Sequence, residues 1–423
     1  LDTDSLKEGK KMNTIWHPFT QHGLEEDIIK ISYTRDEFLI SSDGRKIIDG
    51  ISSWWVNTLG HRNPKIMKAI EEEAKKTDQL IFAGFTHEPA LKVAELLGEF
   101  LPEKLKYTFF SDSGSTSVEV ALKMAVGYFY NKFGKDKSKI VAFEHSYHGD
   151  TFGGMSSGAR SVFNKPYSHM LFDVIHIPYP EKGLEDKTIS TYRKLLEQKH
   201  NEIGAIILEP LVLGSGGMLT YEPFVLDELY KLSKEYDVFF ILDEVMTGWG
   251  RTGTMFAFEQ SNIVPDIICL SKGLTGGSLP LAATVASEEI YEAFYSKDKA
   301  KMFYHSSSYT ANPVACAAAA ANLEIWKEED ILDRVRKITE FYEKQVSNFK
   351  NPRILGDIFA FDIDGEGNDY LAGVAPKLYD FYRKNDVLLR PLGNTVYVMP
   401  PYCISENSLS RVFEVIEESK KLL

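Results

Sequence analysis

Val238-Phe239-Phe240-Ile241-Leu242-Asp243-Glu244, then Gly248-Trp249-Gly250-Arg251-Thr252-Gly253, then Pro265-Asp266-Ile267-Ile268-Cys269-Leu270-Ser271-Lys272-Gly273: two apolar runs joined by a glycine-rich turn, each ending in a charged side chain. Neither run alternates between apolar and polar residues. A strand of that kind is buried on both faces, as in the centre of a parallel sheet. Open α/β sheets bind ligands at the carboxyl ends of their strands, so Asp243 and Lys272 are expected to meet there.

A lysine withdrawn from water loses its proton readily and becomes a nucleophilic amine. A nearby aspartate serves either as its ion-pair partner or as the carboxylate that holds a protonated pyridine nitrogen. Pyridoxal phosphate uses both groups, an amine for its aldehyde and a carboxylate for its ring nitrogen. A structural salt bridge at a sheet end would use the same two residues, so the surrounding chain has to discriminate.

Upstream, Tyr107-Thr108-Phe109-Phe110 reads as a strand, followed by Ser111-Asp112-Ser113-Gly114-Ser115-Thr116-Ser117. Val118, Ala121, Leu122, Ala125 and Phe129 then mark a helix. Hydroxyls around a glycine between a buried strand and a helix N-terminus suit an anion such as phosphate, although one of them would suffice as an ordinary cap. Ile140–Phe143 is a further strand, leading to His145-Ser146-Tyr147-His148-Gly149-Asp150-Thr151, where an aromatic ring could stack on a flat cofactor. The two histidines have no second ligand pair, so no metal is expected. Ile203–Leu208 repeats the buried strand ending in an acid, Glu209, and a helix is expected from Phe224 to Tyr236.

Before this region, short strands are expected at Ile28–Ile31, Phe38–Ile40 and Lys46–Asp49, with helices over Pro64–Lys76 and Glu88–Leu101. Trp54 and Trp55 are adjacent, and on a strand they would point opposite ways, one into the core and one to a surface or pocket. After Asn322 the pattern becomes α+β. The expected elements are a helix over Ile325–Phe349, a strand over Ile358–Ile363, a helix over Ala375–Lys384, strands at Val387–Leu389 and Val396–Met399, and a last helix over Leu409–Leu422. Ala315–Ala321 reads as a small-residue helix in close packing. The chain thus divides into an N-terminal arm with part of a small domain (1–60), a large domain with a mainly parallel sheet (61–322) and a smaller α+β domain (323–423). A substrate is expected in the cleft between the lobes.

The 423 residues carry a formal net charge of -13 with no basic stripe, which argues against nucleic acid or an anionic membrane as a partner. Three widely spaced cysteines indicate neither a disulfide framework nor a zinc site. Leu1–Lys11 lacks the apolar core of a signal peptide, and a cytoplasmic location is expected.

Together, Asp243-Glu244-Val245, Thr247–Gly253 and Ser271-Lys272-Gly273 resemble the signature of the class III pyridoxal-phosphate-dependent aminotransferases of fold type I, and the resemblance covers nearly the whole chain. Within that family, Trp16–Thr20, Ser52–Trp55, Asp112–Ser115, Tyr147–Thr151, Arg390-Pro391 and Met399–Tyr402 are similar to the members that aminate 8-amino-7-oxononanoate in biotin biosynthesis. The resemblance implies that Lys272 joins the cofactor aldehyde, Asp243 holds the pyridine nitrogen, Gly114 and Ser115 bind the phosphate, and Tyr147 stacks on the ring. It implies that Ser307 and Ser308 reach the phosphate of the other subunit of a homodimer. It further implies that Trp54 and Phe19 line the substrate pocket and that Arg390 pairs with the far carboxylate of the keto acid, as a forked guanidinium can. Phe19 stands where many members have tyrosine, so a hydroxyl that would help hold the amino donor is missing. S-adenosylmethionine is the usual donor and lysine serves some relatives; the sequence does not choose. The alternatives are a class III enzyme of the ornithine or 4-aminobutyrate type, or a cofactor-free binding protein on the same fold.

Overall fold

In the computed structural model, residues 14–24, 28–363 and 374–422 are described; residues 1–13 of the expected N-terminal arm lie outside this set. In chain order the strands are β1 (Ile31–Arg35), β2 (Phe38–Ser41), β3 (Lys46–Asp49), β4 (Leu105–Ser111), β5 (Lys139–Phe143), β6 (Val174–Ile177), β7 (Ile203–Leu208), β8 (Val212–Leu213), β9 (Leu219–Thr220), β10 (Phe239–Asp243), β11 (Ile267–Leu270), β12 (Ala282–Ser287), β13 (Lys350–Leu355), β14 (Ile358–Asp362), β15 (Val387–Leu388) and β16 (Thr395–Val398). The strands with the most continuous apolar sequence, β7, β10 and β11, are buried at every position. They lie side by side in a seven-stranded sheet of order β4-β12-β11-β10-β7-β5-β6. Pairing is parallel from β11 through β6, and β12 runs antiparallel to both β11 and β4. The parallel strands deliver Asp243, Glu209 and the residues after Phe143 and Leu270 to one edge, where the sequence places the chemistry.

A second sheet joins distant parts of the chain. β1, β2 and β3 form an antiparallel set, and β3 pairs in parallel with β15 from the C-terminal region. Arg45 reinforces that joint through Asp386 at 2.7 Å. β13, β14 and β16 make a third, antiparallel sheet. Among the described residues no helix is long and apolar enough to cross a membrane.

Several expected boundaries move. The first strand starts at Ile31 rather than Ile28. The helix expected from Val118 begins at Gly114 because Ser113 forms a capping box with Thr116, its hydroxyl accepting from Thr116 N at 3.2 Å and its own N–H donating to Thr116 Oγ1 at 3.0 Å. The single helix expected over Ile325–Phe349 is two, Pro313–Glu328 and Ile331–Gln345, restarted by the Asp330 side chain on Asp333 N at 3.0 Å. Apolar periodicity runs through the break because Ile325, Trp326, Ile331 and Val335 all enter the same core. The last helix starts at Glu406, capped by Ser405.

Candidate active site

Asp243, the last residue of β10, is buried. Its Oδ2 accepts a hydrogen bond from His148 Nδ1 at 2.8 Å, and its Oδ1 accepts Val245 N at 3.1 Å. His148 is itself buried, and its Nε2 has no hydrogen-bond partner among the described residues. Lys272 follows β11 at the start of a short 3₁₀ turn, in the left-handed region with φ 43°. Its ammonium lies 4.7 Å from the centre of the Trp55 ring. Burial pushes the Lys272 amine down to about 8, against the opposing pull of Asp243 and Glu209. The lysine is therefore tuned toward the neutral, nucleophilic form.

Glu209, at the end of β7, accepts Tyr147 N at 2.9 Å and Gly214 N at 3.0 Å. Burial, with Asp243 adding to it, pushes its carboxyl up to about 7. Tyr147 is pushed well up, first by burial and then by Asp150, so its phenol keeps its proton. At the start of the Gly114–Phe133 helix, Ser115 Oγ lies 2.8 Å from Thr151 Oγ1 and accepts Thr151 N at 3.0 Å. Two glycines leave this corner open. A Cβ on Gly114 would lie 2.5 Å from Val245 Cγ1, and one on Gly149, at φ 105°, 2.2 Å from Ser115 Oγ.

These groups surround one cavity of about 410 Å³, whose walls include Gly114, Ser115, Tyr147, Asp243 and Lys272. Glu209, His148 and Trp55 also line it. A reactive amine, a carboxylate clamp, an aromatic wall and a helix N-terminus thus face one space, the combination that an aldehyde-bearing, pyridine-based phosphate needs.

The remaining expected residues lie elsewhere. Phe19, Trp54 and Arg390 form their own cluster: the Phe19 and Trp54 rings are 5.3 Å apart, and the Arg390 guanidinium lies 5.2 Å from Trp54 and 5.1 Å from Tyr379. Arg390 Nη2 also donates to the Phe19 carbonyl at 3.0 Å. Ser307 and Ser308 do not line the cavity of their own chain; Ser307 Oγ donates to Asp112 at 2.8 Å, and the Ser308 carbonyl accepts Gln79 Nε2 at 2.9 Å.

The two tryptophans do not sit on a strand. Ser52–Trp55 is a left-handed turn, which leaves Trp54 partly exposed in the Phe19–Arg390 cluster and turns Trp55 into the cavity. In the sequence His148 reads only as a possible metal ligand, and nothing there marks its contact with Asp243, 95 residues away. Glu209 carried a visible signal, an acid ending a buried strand like Asp243. Tyr379 carried none.

The model of the family "Aminotransferase class-III" matches residues 21–419. The chain belongs to the class III aminotransferases. Members of this family depend on pyridoxal phosphate, and the cavity residues fit that cofactor. Adenosylmethionine-8-amino-7-oxononanoate aminotransferase of Synechococcus elongatus is 43% identical over 96% of this chain and 97% of its own. The crystal structure of the enzyme of that name from Methanocaldococcus jannaschii superimposes with a TM-score of 0.92 at 32% identity, covering 96% of this chain and 97% of that one. A PLP-bound amine transaminase from an uncultivated Pseudomonas species gives 0.90 at 26% identity, with 97% and 99% covered. This chain is thus an aminotransferase of fold type I, with the mainly parallel sheet expected of it.

Proposed function

We propose that this aminotransferase moves an amino group onto 8-amino-7-oxononanoate, giving 7,8-diaminononanoate in biotin biosynthesis, with S-adenosylmethionine as donor and lysine as the alternative. The observation that carries the reading is the 43% identity, over nearly the full length of both chains, to a relative named for that keto acid and donor. The Phe19–Trp54–Arg390 cluster supports it, because it offers apolar walls and a guanidinium to a long aliphatic chain that ends in a carboxylate.

Bound pyridoxal phosphate supplies an electron sink that makes the carbon–hydrogen bond beside the amine acidic. In this reading Asp243, steadied by His148, would hold the ring nitrogen, Tyr147 would cover the ring, and Gly114 and Ser115 would meet the phosphate. Lys272 would be the amine that meets the aldehyde; once free, its Nζ would take the proton from the donor carbon, hold it as the ammonium and return it, acting as base and acid in turn. Its lowered basicity supports that double role, since the neutral form is accessible near pH 8. Two such half-reactions, the second run in reverse on the keto acid, give ping-pong kinetics.

A cytoplasmic homodimer is part of the proposal, with Ser307 and Ser308 at the phosphate of the partner. So is the division into an arm with part of the small domain (1–60), a large domain (61–322) and a C-terminal small domain (323–423). The test is single-turnover absorbance: the PLP form is mixed separately with S-adenosylmethionine, L-lysine and L-glutamate, and then with 8-amino-7-oxononanoate. One of the first two donors should convert the cofactor to its pyridoxamine form and the keto acid should convert it back. Activity with glutamate alone, and an inert keto acid, would overturn the substrate assignment.

A further inference from the structure

Ser52, Ser53, Trp54 and Trp55 have φ of 51°, 46°, 75° and 70° in succession. Left-handed backbone is a single-residue conformation for side chains other than glycine, because the Cβ crowds the following carbonyl. A full turn of it, with two tryptophans, exists only where the surroundings impose it, and such enforced strain marks sites that have to present something.

The imposing group is the buried carboxylate of Asp49, the last residue of β3. Its Oδ1 accepts Ser53 N at 2.8 Å and Ile51 N at 3.4 Å; its Oδ2 accepts Ser53 Oγ at 2.7 Å and lies 2.9 Å from His61 Nε2. The flanks are anchored too, by Ser52 Oγ on the Met399 carbonyl at 2.8 Å and by Arg251 Nη2 on the Trp55 carbonyl at 3.3 Å. What the turn presents differs on its two sides. Trp55 faces the Lys272 amine and donates its indole N–H to Tyr397 Oη at 3.0 Å, while Trp54 stands between Phe19 and Arg390. On a strand the two rings would also diverge, but an extended backbone could not take these four positive φ values.

We infer that Asp49, with Ser53 and His61, is a positioning device of the transaminase site: it holds a left-handed turn that sets Trp55 on the Lys272 side and Trp54 on the Arg390 side at once. The inference rests on the aminotransferase reaction and not on which keto acid is used.

The test compares the PLP-loaded parent with Asp49→Asn and with Asp49→Asn combined with Ser53→Gly. Near-ultraviolet circular dichroism in the tryptophan region is read without substrate, and kcat and KM are read with whichever of S-adenosylmethionine or L-lysine the parent uses. Asp49→Asn should weaken the tryptophan signal and lower kcat/KM by about tenfold or more. Glycine at position 53 takes the left-handed backbone without a Cβ penalty, so the double variant should recover part of both losses. A purely structural carboxylate gives no such rescue. If Asp49→Asn does not fold, Ser53→Ala, which leaves Asp49 paired with His61, should show the same weakening on a smaller scale. A tryptophan signal and kcat/KM within about twofold of the parent would overturn the inference. So would a loss that glycine at position 53 does not relieve.

Discussion

Asp243→Asn preserves the outline of the side chain but removes its charge and leaves one acceptor oxygen in place of the two that meet His148 Nδ1 and Val245 N. The carboxylate has two jobs in the account. It would face a cationic ring nitrogen in the bound cofactor, and removing one partner of a buried charge pair costs roughly 3–5 kcal/mol. At about 1.4 kcal/mol per factor of ten, turnover falls by roughly two to four powers of ten. Its second job is electrostatic support of Lys272, whose amine it raises against the burial that brings it down to about 8. Without the carboxylate the amine titrates at lower pH. Because the neutral amine attacks an aldehyde, the rate of PLP uptake by the apo-protein should rise with pH and level off above about 8 in the parent. In the variant the levelling should come at lower pH. Stopped-flow absorbance of uptake across the range from about pH 6 to about pH 10 reads this effect, and single-turnover transamination reads the other. Near-parent turnover, or a levelling point that moves upward, would refute the assignment of Asp243.

Arg390→Ala should raise the KM for the keto acid by roughly one to two powers of ten, the value of a charge-assisted hydrogen bond, and leave the donor half-reaction intact; steady-state kinetics with an unchanged KM would contradict this. Gly149→Ala places a methyl group 2.2 Å from Ser115 Oγ at a φ of 105°. The left-handed backbone alone costs about 1–2 kcal/mol for a residue with a Cβ. PLP should dissociate faster on dialysis and the melting temperature should fall by a few degrees, whereas parent-like retention would show that the phosphate corner tolerates the methyl.

The centre of the sheet was legible because β7, β10 and β11 are apolar at nearly every position, a pattern that needs no long-range information. Their charged ends mark Asp243 and Lys272 as candidates, and Glu209 ends β7 in the same way without being singled out. The left-handed turn at Ser52–Trp55 was illegible for the opposite reason. Nothing in Ser-Ser-Trp-Trp favours positive φ; it is imposed by the Asp49 carboxylate and by Met399 and Arg251, whose contacts bridge up to 347 residues. The break at Asp330 was hidden because both helices bury the same face, so apolar spacing carried no mark of it. β12 was missed for want of contrast: Ala282-Ala283-Thr284-Val285-Ala286 has small residues where its neighbours have large ones. The contact between His148 and Asp243 depends on β5 and β10 delivering residues to the same sheet edge, and it becomes visible only once the strand order is known.

The central claim is that Lys272 is the amine around which this site works. Its most direct test is the visible absorbance spectrum of Lys272→Ala with added PLP, followed by single-turnover mixing with S-adenosylmethionine and with L-lysine. Lys272→Ala should lose the absorbance band of lysine-linked PLP and show no transamination with either donor. Retention of that band, or turnover comparable to the parent, would contradict it.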